Sequence, residues 1–111
     1  MVRREGVSRF DVWLVALDPT VGSEIRKTRP CVVVSPDGLN RQLRTIVVCP
    51  MTSRVWDAPF RVTSRFAGQD GSVSLDQIRT VDRHRLVRRL GRLDEVTARE
   101  ILQRLGHMFA P

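Results

Sequence analysis

An arginine directly before a proline, at the foot of an apolar run, is the residue of this chain best suited to chemistry. Arg29-Pro30 precedes Cys31-Val-Val-Val-Ser35. Proline drives the residue before it into an extended conformation, so Arg29 is expected at a strand end with little backbone freedom. A guanidinium fixed in that way suits a phosphate, which it can meet with two parallel hydrogen bonds. The second residue is Thr52, in the run Pro50-Met-Thr-Ser53 that follows the apolar stretch Thr45 to Cys49. Strands joined by a connection of about nine residues are usually antiparallel neighbours. The start of one then faces the end of the other, which puts Arg29 and Thr52 at the same end of a sheet. Directly opposite, their Cβ atoms would lie roughly 4.5–5.5 Å apart. Pro30 and Pro50 are expected to interrupt the ladder there and free backbone groups for a ligand. Such a pair could hold a scissile phosphate, the arginine neutralising charge that develops on the phosphoryl oxygens. The threonine would position the phosphate or a nearby proton. The structural alternative is an arginine paired with Glu24 or Asp76 and a threonine capping a turn.

Other residues offer weaker chemistry. Glu24 and Asp76 are candidate bases, although a carboxylate beside a cation stays ionised and loses basicity. His84 and His107 suggest a two-histidine acid–base ribonuclease, but nothing in the spacing places the rings together. A histidine near a helix end commonly just answers the dipole. Trp13 alternates into a strand and is expected in the core or at a subunit contact. Trp56, in a loop with Asp57 and Pro59, is the better candidate for stacking on a base or meeting a partner. Arg83, Arg85, Arg88, Arg89 and Arg92 read as a solvated basic face that attracts RNA.

The elements that must hold these residues follow from pattern. Residues 1–9 are polar and basic and are expected to form a loosely held end. Phe10 to Leu17 reads as a strand. Asp18 to Thr28 is a long charged loop, of the kind that is often functional. Cys31 to Ser35 is a second strand, Pro36-Asp-Gly38 a turn, and Thr45 to Cys49 a third strand closed by Pro50. Phe60 to Thr63 is a short strand. Ser72 to Leu75 and Gln77 to Val81 form one bent strand or two, and Leu86 to Leu93 alternates weakly. Short strands separated by turn residues indicate a small barrel or half-open sheet. The period then changes: Ala98, Ile101, Leu102, Leu105, Met108 and Phe109 follow helical spacing after Asp94, a good N-cap. That stripe is expected to be core, covering one open side of the barrel.

Composition narrows the class. The 111 residues suffice for one domain, 1–111, and 41% hydrophobic with 28% charged residues marks a globular chain. The formal charge is +7, and Lys27 is the sole lysine, so the basicity is arginine. This favours polyanionic partners, against the alternative of a solvated basic surface with no such role. The longest apolar stretch near the N-terminus, Val12 to Leu17, stops at Asp18-Pro19. It is too short for a membrane span or a signal core, and a cytoplasmic protein is expected. Cys31 and Cys49 fall inside strand patterns without a CxxC pair and read as reduced core thiols, with no zinc site and no cofactor.

Taken in order, these residues resemble the MazF/PemK family of toxin endoribonucleases. The likeness begins at Asp11-Val-Trp13, Leu17-Asp-Pro-Thr20 and Gly22-Ser-Glu24, and runs through Arg29-Pro30 to Ser35. It resumes at Pro50-Met-Thr-Ser53, Pro59-Phe60 and Asp76-Gln-Ile-Arg-Thr80, covering about residues 10–108. It implies an α+β fold, a small SH3-like β-barrel with a C-terminal helix, working as a homodimer. It implies metal-independent cleavage of single-stranded RNA by 2′-hydroxyl attack, leaving 2′,3′-cyclic phosphate and 5′-hydroxyl ends. Arg29 and Thr52 take the catalytic positions. Substrate contacts fall to Gly22, Ser23, Glu24, Lys27 and Thr28 in the loop, and to Ser53, Asp76, Gln77 and Arg79. The implied partner is an acidic antitoxin, MazE-like, laid across the RNA groove. One branch of the family has a histidine after the loop glycine and an arginine two residues before the Asp-Gln pair. Here those positions are Ser23 and Ser74, so the Arg29/Thr52 route is the one implied. A CcdB-type gyrase-binding toxin shares this fold but relies on a Trp-Gly-Ile ending, whereas this chain ends His107-Met-Phe-Ala-Pro111. A catalytically silent RNA-binding barrel is the third reading.

Overall fold

A computed structural model describes residues 6–111. Its architecture is decided by one strand that belongs to two sheets. The strands are β1 (Asp11–Ala16), β2 (Thr28–Val33), β3 (Thr45–Thr52), β4 (Arg61–Phe66), β5 (Gln69–Ser74), β6 (Arg79–Asp82) and β7 (Leu86–Arg92). Two helices join them, α1 (Asp37–Gln42) and α2 (Glu95–Phe109). On one edge β3 meets β2 in the antiparallel register Cys31↔Pro50, Val32↔Cys49, Val33↔Val48. Its other edge is divided: Thr45–Val48 pairs with β6, and Met51–Thr52 pairs with β5. A 3-10 turn at Leu75–Gln77 separates β5 from β6, so the segment is two strands. The sheet order β4-β5-β3-β2-β1-β7, with β6 branching from β3, makes a curled antiparallel half-barrel.

The apolar runs are unbroken because both faces of the β1–β2–β3 layer are covered. Trp13, Val15, Cys31, Val33, Ile46 and Val48 fill one core, with Leu86 of β7. Val12, Val32, Cys49 and Met51 fill the other, against Val62, Val73 and Ile101 of α2. Asp94 caps α2, its carboxylate accepting from the Thr97 N–H at 3.0 Å and the Thr97 hydroxyl at 2.7 Å.

Several expectations need correction. Of the loosely held end, residues 1–5 lie outside the described residues. From Val7 onward the chain is tied down: Val7 is buried in the first core, and the Arg9 N–H donates to Asp37 at 2.7 Å. The turn at Pro36 is instead the entry to α1. Proline suits a helix start, and Asp37 favours the positive end. Pro30 and Pro50 do not end their strands; they pair with Leu14 and Cys31. Pro50 lies between Val48 and Met51, where the outer edge of β3 passes from β6 to β5, so a missing N–H costs little there. The stripe of α2 is core only in part. Ala98 and Ile101 are buried and Leu105 is packed against the core, but Leu102, Met108 and Phe109 are exposed.

Candidate functional site

Continuing the β2–β3 register outward sets Arg29 of β2 directly opposite Thr52 of β3. Alternation places both on the face that carries Cys31. They line the rim of a pocket of about 240 Å³ whose walls include Met51, Ser53, Phe66 and Gly71. The pocket sits where β5 comes close to the end of β3. A Cβ on Gly71 would overlap the Thr52 carbonyl, so only glycine permits that approach.

Arg29 is half-exposed and does not take the structural alternative. Its Nε donates to the Arg26 carbonyl at 3.1 Å, which steers the side chain, and among the described residues no carboxylate pairs with it. Glu24 is occupied locally, accepting from the Val21 N–H at 2.5 Å at the loop tip. Asp76 pairs with Arg61 through two contacts of 2.9 and 3.1 Å. The one carboxylate that lines the pocket, Asp70, pairs with Arg65 at 3.1 Å, which leaves Arg29 as a cation at the rim with no ion-pair partner among the described residues. Burial pushes the Cys31 thiol up to about 12, and the opposing pull comes from the charges of Arg79 and Arg29.

Thr52 is held by a small network. Its Oγ1 donates to the Arg54 carbonyl at 3.2 Å and lies 3.3 Å from Ser72 Oγ. Ser72 Oγ donates to the same carbonyl at 2.6 Å. Ser72 is wholly buried, and sequence reasoning passes over it because a small polar residue in a strand carries no spacing signal.

The remaining predicted residues are spread around this end. Gly22, Ser23, Glu24 and Lys27 are exposed on the β1–β2 loop, where Gly22 and Lys27 both adopt positive φ, and Thr28 is exposed as the first residue of β2. Gln77 ties that loop to the 3-10 turn by accepting from the Ile25 N–H at 3.3 Å. Ser53 is exposed beside Thr52. Arg79 lies opposite Val48, on the same face as Cys31, and its Nη1 is buried without a hydrogen-bond partner among the described residues.

Other candidates are placed elsewhere. His84 contacts Asp82 at 2.5 Å, and bonds from His84 hold the Asp82 carboxyl below its ordinary range. His107 lines a separate cavity of about 630 Å³ beside Phe60, Asp76 and Arg104. The two histidines share no pocket, so the structure does not assemble a two-histidine site. Trp13 is buried. Trp56 is exposed, with the guanidinium carbons of Arg61 and Arg54 at 4.4 and 4.8 Å from its ring centroid. The expected solvated arginine face is present in part: Arg88, Arg89 and Arg92 are exposed, while Arg83 and Arg85 turn inward. Arg83 is buried and donates to the Asn40 and Leu43 carbonyls; Arg85 donates to those of Ala16 and Asp18. Arg89 and Arg92 pair with Asp11, whose side chain is buried. Carbonyls at strand and helix ends need donors, and this cluster supplies them.

A half-open barrel with an arginine facing a hydroxyl across a strand end defines a small basic domain with a cationic side chain at its pocket rim. Comparison with known proteins makes the class specific. Residues 8–109 match the family of PemK-like, MazF-like toxins of type II toxin–antitoxin systems, and the chain belongs to that family. Endoribonuclease PemK of Escherichia coli is 39% identical over 113 residues, covering 94% of this chain and 83% of the relative. The crystal structure of MazF from Deinococcus radiodurans superposes with a TM-score of 0.81 at 29% identity, covering 92% of this chain and 94% of that one. A MazE-MazF crystal structure from the same organism gives a TM-score of 0.76 at 25% identity, covering 94% and 95%.

Proposed function

We propose that this protein is the toxin of a type II toxin–antitoxin pair and a sequence-specific, metal-independent endoribonuclease of single-stranded RNA. The observation that carries the reading is the Arg29–Thr52 pair: opposite one another, on a pocket rim, with the arginine unpaired by any described carboxylate. Arg29 binds the scissile phosphate and stabilises the charge that accumulates on its oxygens during attack. Thr52 acts at the attacking 2′-hydroxyl or the phosphate. RNA brings its own nucleophile, so alignment and charge stabilisation are the work left to the protein. The bond formed is O2′–P and the bond broken is P–O5′, leaving a 2′,3′-cyclic phosphate and a 5′-hydroxyl. The loop residues Gly22, Ser23, Glu24, Lys27 and Thr28, together with Ser53, Asp76, Gln77 and Arg79, hold the flanking RNA. Asp76 and Gln77 act in part by fixing Arg61 and the loop.

The toxin acts in the cytoplasm as one domain over residues 1–111, and as a homodimer. Exposed Met108 and Phe109 at the end of α2 offer apolar surface to a second subunit. Its antitoxin is acidic and covers the RNA groove, to which the charge of +7 is complementary. The test is incubation of the purified protein with a long single-stranded RNA in EDTA, followed by mapping of the ends. Discrete cuts with cyclic-phosphate and 5′-hydroxyl ends are expected. Intact RNA across varied sequences, with folded protein, would refute the reading.

A further inference from the structure

The hydrogen-bond geometry behind Thr52 points to a positioning role for Ser72, and with it to the polarity of the Thr52 hydroxyl; this rests on the ribonuclease reading above. A hydroxyl carries one proton and two acceptor lone pairs. Ser72 Oγ lies 2.6 Å from the Arg54 carbonyl, which can only accept, so the Ser72 proton is committed there. Toward Thr52, 3.3 Å away, Ser72 is then an acceptor. The single Thr52 proton goes to Ser72 or to the Arg54 carbonyl at 3.2 Å. Both partners lie on the protein side, so the Thr52 oxygen offers lone pairs outward. A phosphate oxygen is an acceptor and cannot use them, whereas the 2′-hydroxyl of RNA is a donor and can. We infer that Ser72, together with the Arg54 carbonyl that it anchors, holds the Thr52 hydroxyl with its proton turned inward, so that Thr52 receives a hydrogen bond from the attacking 2′-hydroxyl while Arg29 alone grips the phosphate.

Ser72 suits this role structurally. It is fully buried, sits opposite Thr52 in the β3–β5 register, and anchors the turn after β3 through Arg54. The same two residues would be needed merely to hold the turn, so the test must separate orientation from folding. Steady-state cleavage by wild type, Ser72→Ala and Ser72→Thr is measured on an oligonucleotide containing a mapped cut sequence. Binding is measured on the same oligonucleotide with a 2′-deoxy sugar at the cut. Ser72→Ala is expected to lower kcat by about tenfold at nearly unchanged KM, and Ser72→Thr to recover most of it. In the Arg29→Ala background, which does not cut, the 2′-deoxy oligonucleotide should bind more weakly than the one that keeps its 2′-hydroxyl at the cut, and adding Thr52→Ala should remove that distinction. An unchanged kcat in folded Ser72→Ala overturns the proposal while leaving the ribonuclease reading intact. So does a parallel fall of activity and melting temperature that Ser72→Thr does not restore. A wild type that cuts no RNA removes both.

Discussion

Arg29 contributes little to the fold. It is half-exposed and its side-chain hydrogen bond goes to a loop carbonyl. Arg29→Ala should abolish RNA cleavage with a change in stability within about 0.5 kcal/mol, the usual range for surface substitutions. Cleavage assays alongside urea denaturation check this, and an unfolded variant would mark Arg29 as structural. Thr52→Ala should slow cleavage by at least tenfold, about 1.4 kcal/mol of barrier; undiminished turnover would remove Thr52 from the mechanism. The Arg29–Thr52 juxtaposition is legible in the sequence because a short connection forces antiparallel pairing, which brings the start of β2 beside the end of β3. Ser72 is not legible, since its role depends on β5 pairing with the last two residues of β3, a contact set by topology. Of the arginines from Arg83 to Arg92, Arg88, Arg89 and Arg92 are exposed as expected, whereas Arg83 and Arg85 mislead for a related reason. A run of charge looks solvated until the fold brings carbonyls and Asp11 beside it.

At the scale of elements, α2 is the best case for prediction. Its period and its Asp94 cap are both visible in the sequence, and both are present. Hydrogen bonds from Thr97 hold the Asp94 carboxyl below its ordinary value of 3.8. A depressed folded value means that the charged cap stabilises the helix above that value, and that the contribution is lost as pH falls through the lower folded one. Asp94→Ala should therefore cost about 1 kcal/mol at neutral pH. The gap from wild type should narrow below about pH 4, as read from urea denaturation at neutral and acid pH. A gap independent of pH would show that the cap does not act through its charge. The short helix α1 is hidden because Pro36-Asp-Gly38 has the composition of a turn. Strand boundaries moved for a simpler reason. Pro50 looks like a terminus, yet it falls at a gap in the ladder where no donor is needed.

For the whole molecule, the divided edge of β3 explains both the half-barrel and the location of the site. Where β6 gives way to β5 the sheet turns, and Arg29 and Thr52 sit at that end. Neither core is a one-sided surface, which is why β1, β2 and β3 read as continuous apolar runs. Cys31 and Cys49 report on the two cores separately. Burial pushes each thiol up to about 12, so both stay protonated and inaccessible at neutral pH. A thiol reagent should label neither in the folded protein and both after unfolding. Labelling of one without loss of fold would show that its core opens locally.

In the proposed reaction the RNA's own 2′-hydroxyl, aligned at Arg29 and Thr52, makes the cut. The most direct test is an RNA oligonucleotide carrying one mapped cut site, compared with the same molecule bearing a single 2′-deoxy sugar at that site, both in EDTA. Wild type should cut the first, Arg29→Ala should cut neither, and the 2′-deoxy molecule should be bound but left intact. Cleavage of the 2′-deoxy molecule at the same bond would contradict this mechanism.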